Sequence, residues 1–119
     1  MEPFIDTWYV KAARLFRANW PRKGDLLREK EIERKLVETI KKQGGIAPKW
    51  VCPGLDGVPD RLIFLPKGRF ALAELKAPGE APRPLQESRH RLLRKLGFKV
   101  FVIDSEEKIE EMVKEVLQK

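Results

Sequence analysis

The chain has 119 residues, 36% charged and 42% apolar, with 25 Lys and Arg against 18 Asp and Glu for a net charge of +7. That length fits one domain with one core, and no apolar run approaches the roughly 20 residues needed to span a bilayer. One cysteine, Cys52, and one histidine, His90, exclude an internal disulfide, a multi-cysteine cluster and a two- or three-histidine metal centre. The basic balance favours a polyanionic partner, nucleic acid first. The N-terminus lacks the basic and apolar regions of a signal peptide, so a reducing, cytoplasmic setting and no membrane contact are expected.

Asp6 or Thr7 caps a first helix, in which Trp8, Ala12, Leu15 and Phe16 recur at helical spacing, and residues 20–24 end it. Asp25 starts a longer helix that stops at Gln43, before Gly44-Gly45. Residues 46–52 read as a short strand that Pro48 confines to an edge or bulge, followed by a loop over residues 53–59. Residues 60–65 and 69–76 read as strands joined by the turn Pro66-Lys67-Gly68. A proline-rich loop then leads to a helix over residues 85–96, with Leu85, Leu92, Leu93 and Leu96 as its apolar face. Residues 99–103 form a near-continuous apolar run, expected as a strand buried on both faces. Asp104 caps a last helix whose stripe is Ile109, Met112, Val113, Val116 and Leu117. A hairpin followed by a helix crossing to another strand predicts an α/β fold with a mixed central sheet flanked by helices. Residues 1–24 are expected as a helical extension and residues 25–119 as the domain proper.

Several carboxylates fall where apolar residues would be expected. Glu29 and Glu33 lie on the stripe of Leu26, Leu36, Val37 and Ile40. A carboxylate at the border of a buried face either sends its head to water or is neutralised by a cation. Asp60 opens one hairpin strand and Glu74 closes the other, and the short turn brings position 60 opposite positions 74 to 76. Alternation places Glu74 and Lys76 on one face and Leu75 on the other. Two carboxylates and an ammonium therefore meet at one sheet edge, a set of oxygen donors that suits Mg²⁺ or Mn²⁺. Gln86, in the first turn of its helix, adds an amide near that edge. Arg83, Arg89, Arg91 and Arg94 surround the same helix and suit backbone phosphates. His90, one turn from Gln86, either faces the same groove or lies on the polar side of the helix surface, and the surface is favoured.

The ordered set Gly54-x-x-Gly57-Val58-Pro59-Asp60-Arg61, Glu74-Leu75-Lys76-Ala77-Pro78-Gly79, Arg83-Pro84-Leu85-Gln86 and Leu96-Gly97-Phe98-x-Val100 resembles the VRR-NUC domain of the PD-(D/E)XK nuclease superfamily, over about residues 28–105. The resemblance implies a restriction-endonuclease-like αβββαβ core with extra N- and C-terminal helices. It implies Asp60 and Glu74 as metal ligands, joined by the Leu75 carbonyl and a helix glutamate, with Lys76 and Gln86 as further catalytic groups and Lys49 near phosphate. Glu33 is preferred to Glu29 because it stands eleven residues before Gly44, a spacing similar to that of archaeal Holliday-junction resolvases. The implied activity is Mg²⁺- or Mn²⁺-dependent endonucleolytic cleavage of branched DNA, Holliday junctions foremost, leaving 5′-phosphate and 3′-hydroxyl ends. A homodimer is expected, with Phe4, Ile5, Trp8, Leu15, Phe16 and Trp20 serving either its interface or their own core. A flap- or end-processing nuclease and a nucleic-acid-binding subunit without chemistry are the alternatives.

Overall fold

A computed structural model of the protein describes residues 23–118. The first predicted helix, with its aromatic residues, lies outside the described residues. The elements run α1 (Lys23–Lys42), β1 (Arg61–Leu65), β2 (Arg69–Leu75), α2 (Pro84–Lys95), β3 (Val100–Ile103) and α3 (Glu106–Leu117). None of the described helices is long and apolar enough to cross a membrane.

Ile32, Leu36 and Ile40 of α1 are buried at four-residue spacing, and Glu29 and Glu33 flank that line half-buried. The helix ends at the glycine pair. Gly44 N–H donates to Lys41 O and Gly45 N–H to Ile40 O, both at 2.9 Å, with Gly44 at φ +84°. This is a Schellman closure, which favours glycine at its left-handed position. A Cβ on Gly45 would lie 2.1 Å from Phe64 O, so the second glycine lets the chain pass directly against β1.

β1 pairs antiparallel with β2 from Arg61↔Ala73 to Leu65↔Arg69, and β3 joins the other edge of β2 in parallel from Leu72↔Val100 to Leu75↔Ile103. The parallel step is made through α2, as the element order requires. Ala71 and Ala73 are fully buried on one face of central β2, and Ile63, Leu65, Ile103, Ile109 and Met112 close the core around them, with Leu36 and Ile40 from α1. Each such aliphatic side chain stabilises the fold by roughly 1.5–3 kcal/mol on burial. Ser105 caps α3, its hydroxyl accepting from Lys108 N–H at 3.4 Å, in place of the predicted Asp104.

The segment 46–52 is not a regular strand. It runs antiparallel along β1 with isolated bridges at Ile46↔Phe64 and Lys49↔Arg61. Ile46 and Phe64 exchange both backbone hydrogen bonds, but at the next pair only Leu62 N–H to Pro48 O forms, because proline has no N–H to return. β3 is also less enclosed than its apolar run suggests. It is an edge strand, with Val100 and Ile103 buried and Phe101 and Val102 half-buried. The largest departure is in α2. Leu85, Leu92 and Leu96 are 48%, 43% and 64% exposed, whereas Gln86 and His90 are buried. The helix turns a polar face inward because a buried carboxylate waits beneath it.

Candidate active site

The hairpin register sets Arg61 opposite Ala73, and so brings Asp60, one residue before β1, beside Glu74. Asp60 Oδ2 accepts a hydrogen bond from Leu75 N–H at 2.8 Å, which fixes the carboxylate at the mouth of the two strands. Glu74 is 1% exposed. Its Oε2 accepts from Gln86 Nε2 at 3.0 Å and lies 4.0 Å from Lys76 Nζ, and its Oε1 lies 3.4 Å from His90 Nε2. Gln86 is doubly committed, since its Oε1 accepts from Arg83 N–H at 2.9 Å and closes the first turn of α2.

Burial pushes the Glu74 carboxyl up to about 8, with the charge and hydrogen bond of Asp60 adding to the shift and Lys76 opposing it. Burial also pushes Glu29 up to about 7, reinforced by Asp60 and opposed by Lys76. The His90 imidazole is held below its ordinary value by burial first and by the Arg94 charge next, which favours its neutral form. Three acids thus crowd one edge of the sheet with Lys76 as the cation acting against their repulsion. A cleft of about 240 Å³ opens over Glu29 and Asp60, lined also by Glu33, Lys49, Trp50 and Leu75 among others, while Glu74 and Lys76 are buried and do not line it.

Oxygen donors with excess negative charge suit a hard divalent cation. No three His, Cys, Asp or Glu side chains among the described residues converge into a ready-made cage. The carboxyl oxygens of Asp60, Glu74 and Glu29 are nonetheless the hard donors that Mg²⁺ takes together with water and phosphate oxygens.

No family model matches the chain. A protein named "Putative nuclease p44" from Acyrthosiphon pisum secondary endosymbiont phage 1 is 51% identical over 82 residues, covering 69% of this chain and 88% of its own. A solved structure described as a VRR_NUC domain superposes with a TM-score of 0.69 at 30% identity, covering 73% of this chain and 95% of that one. The chain belongs to the VRR-NUC family.

Within this VRR-NUC domain the two helix glutamates divide in a way that the spacing did not suggest. Glu33 Oε2 accepts from Arg61 Nη2 at 2.8 Å, and Lys30 lies 3.6 Å from its other oxygen. Burial acts to raise its carboxyl, but the Arg61 hydrogen bond and the charges of Lys30, Arg61 and Lys49 outweigh burial and hold it below the ordinary value. Glu33 is thus already neutralised by protein cations. Glu29 carries the uncompensated charge and acts on Asp60 and Glu74. Spacing from Gly44 takes no account of Arg61, which binds Glu33, and both glutamates line the same cleft.

The residues singled out for phosphate divide likewise. Lys49 lines the cleft, and Arg91 is exposed on α2. Arg89 Nε donates to Asp56 O at 2.8 Å and Arg94 Nη2 to Val100 O at 2.7 Å, so each is also tied to the fold by one hydrogen bond. Arg83 is exposed at the start of α2, with its backbone N–H taken by Gln86.

Two VRR-NUC site residues escaped the sequence reading. His90 is 2% exposed and faces Glu74, not the surface, and its spacing of one turn from Gln86 was the available signal. Arg61 joins α1 to the 46–49 segment through Glu33 and Ala47 O, at 2.8 Å each. Its position directly after Asp60 was the only hint.

Proposed function

We propose that this VRR-NUC nuclease is a Mg²⁺- or Mn²⁺-dependent endonuclease that cuts branched DNA and leaves 5′-phosphate and 3′-hydroxyl ends. The observation that carries the reading is the placing of two carboxyl groups at one strand mouth, Asp60 fixed there by the Leu75 N–H at 2.8 Å and Glu74 buried with Lys76 Nζ 4.0 Å away. Asp60 and Glu74 would hold the cation, with the Leu75 carbonyl and Glu29 as additional oxygen donors. When bound, the cation supplies Lewis acidity toward a phosphate oxygen and neutralises charge. Lys76 orients the attacking water and stabilises the charge that gathers on the phosphoryl oxygens. The water oxygen adds to phosphorus in line as the bond to the 3′ oxygen breaks; the water releases a proton to solvent and the departing 3′ oxygen takes one up from solvent. Gln86 and His90 hold the Glu74 carboxylate from behind, and Lys49 and Arg91 supply charge for flanking phosphates.

A four-way junction has near two-fold symmetry, and a C2 dimer offers two sites at fixed separation. Phe64, Leu92, Leu96 and Phe98 retain 42% to 64% exposure and provide an apolar surface that a second copy would cover. Phe64, Phe70 and Phe98 form a continuous aromatic row there, with ring centroids 5.2 and 6.1 Å apart.

Cleavage of a four-way junction, a flap and a linear duplex in Mg²⁺, Mn²⁺ or EDTA, alongside light scattering, tests the proposal. Metal-dependent cutting of the junction in preference to the duplex, by a dimer, is expected. Full activity in EDTA contradicts the metal, and equal cutting of all three substrates by a monomer contradicts substrate and assembly together.

A further inference from the structure

Val51 is 79% exposed, the most exposed large apolar residue among the described residues, and it lies at the rim of the acidic cleft. Isolated apolar exposure is ordinary on a protein surface. Three features set this position apart.

The backbone beneath it is held firmly on both sides. Trp50 N–H donates to Asp60 O at 2.9 Å, so the residue before Val51 is bonded to the residue that supplies a site carboxylate. Beyond Val51 the loop is fastened to α2, where Arg89 Nε donates to Asp56 O at 2.8 Å. Gly57, at φ +83°, packs so close that a Cβ would lie 2.9 Å from Leu85 Cγ. Val51 therefore projects from a braced support.

The chain carries a net charge of +7, and Lys49 stands two residues before Val51 on the cleft that Glu29, Glu33 and Asp60 also line, so a polyanion would be held there by Lys49 and by a cation on the acids. A phosphate drawn to Asp60 through a cation would bring its flanking nucleotides over the Trp50–Val51 rim.

An apolar side chain set among charges at that rim has one obvious place to be buried, against the face of a nucleobase. Apolar wedges enter base steps that are already weakened, and they read structure rather than sequence. At a branch point the terminal base pair lacks a stacking neighbour, so insertion is least costly there.

We infer that Val51 is an apolar wedge that inserts against the unstacked base at a DNA branch point and sets the preference of the nuclease for branched over linear duplex. The inference rests on the nuclease reading above and adds the element that recognises the substrate.

The test uses the full chain with Ca²⁺ in place of Mg²⁺ and a forked duplex carrying 2-aminopurine at the branch. The wild type is expected to raise the 2-aminopurine fluorescence at saturation, through loss of stacking with neighbouring bases. Val51→Ser should abolish that rise at equal occupancy. The variant is checked by circular dichroism, and Val51 is too exposed for the serine to endanger the fold. In Mg²⁺, Val51→Ser should lose the ratio of fork to linear cutting. A wild type that leaves the fluorescence unchanged, or a folded Val51→Ser that keeps both the rise and the cutting ratio, overturns the wedge. A wild type that raises the fluorescence but cuts no DNA would instead overturn the nuclease reading and leave the wedge standing.

Discussion

Gln86 donates its side-chain amide to Glu74 across 3.0 Å while its carbonyl oxygen caps α2 at Arg83, so one residue both closes a helix and steadies a buried carboxylate. A glutamate there would keep the cap but set a second carboxylate against Glu74. Gln86→Glu should lower kcat by roughly 10- to 100-fold, the usual cost of losing an outer partner of a metal ligand. Single-turnover cleavage together with thermal melting checks this. A variant with unchanged kcat would show that the bond is incidental.

The two helix glutamates should fail in different ways. Glu29→Gln is expected to reduce cleavage strongly with little loss of stability, since a repelled carboxylate is removed. Glu33→Gln removes the partner of a largely buried guanidinium, and the cost in stability should be about 1–3 kcal/mol. Denaturant unfolding and cleavage of both variants decide the matter. A stable, inactive Glu33→Gln would support the assignment made from spacing.

Stability without metal should fall as pH rises. Glu29 and Glu74 have folded values raised to about 7 and about 8 from 4.5, so the folded state binds more protons than the unfolded state across that interval. The stabilisation from these groups is complete below 4.5 and is lost as pH passes through the folded values. His90 is shifted the other way and contributes only below its ordinary 6.5. The clean window therefore lies between pH 6.5 and about 8, where the Tm in EDTA should fall for the wild type and much less for Glu74→Gln. Mg²⁺ should stabilise the wild type most at the upper end.

The basic residues of α2 should separate by function. Charge reversal at exposed Arg91 should flatten the plot of log K against log salt by about one unit. Arg94→Glu should destabilise the fold, because its guanidinium holds the Val100 carbonyl at 2.7 Å. Binding titrations over salt and melting curves separate the two effects.

Much of the fold was legible because periodicity and punctuation agreed. Gly44-Gly45 stopped α1 in the expected place, and Pro66 to Gly68 fixed the hairpin register that sets Asp60 beside Glu74. The orientation of α2 was not legible. Leu85, Leu92 and Leu96 mark an apolar stripe by pattern, but the buried Glu74 draws Gln86 and His90 inward, and a long-range polar demand overrides local hydrophobic spacing. The same limit applies to Glu33 and Arg61, which meet across 28 positions of sequence. Pro48 told half its story: it placed the segment at an edge, and the missing N–H leaves bridges where a strand was expected.

The central claim is that Asp60 and Glu74 together hold the divalent cation that cuts DNA. Titrating Mn²⁺ into wild type, Asp60→Asn and Glu74→Gln, with electron paramagnetic resonance to count bound ions and junction cleavage measured on the same samples, tests it most directly. One ion bound by the wild type, with binding and cleavage lost together in both folded variants, is the expected result. Either variant binding Mn²⁺ and cutting as the wild type does would contradict it.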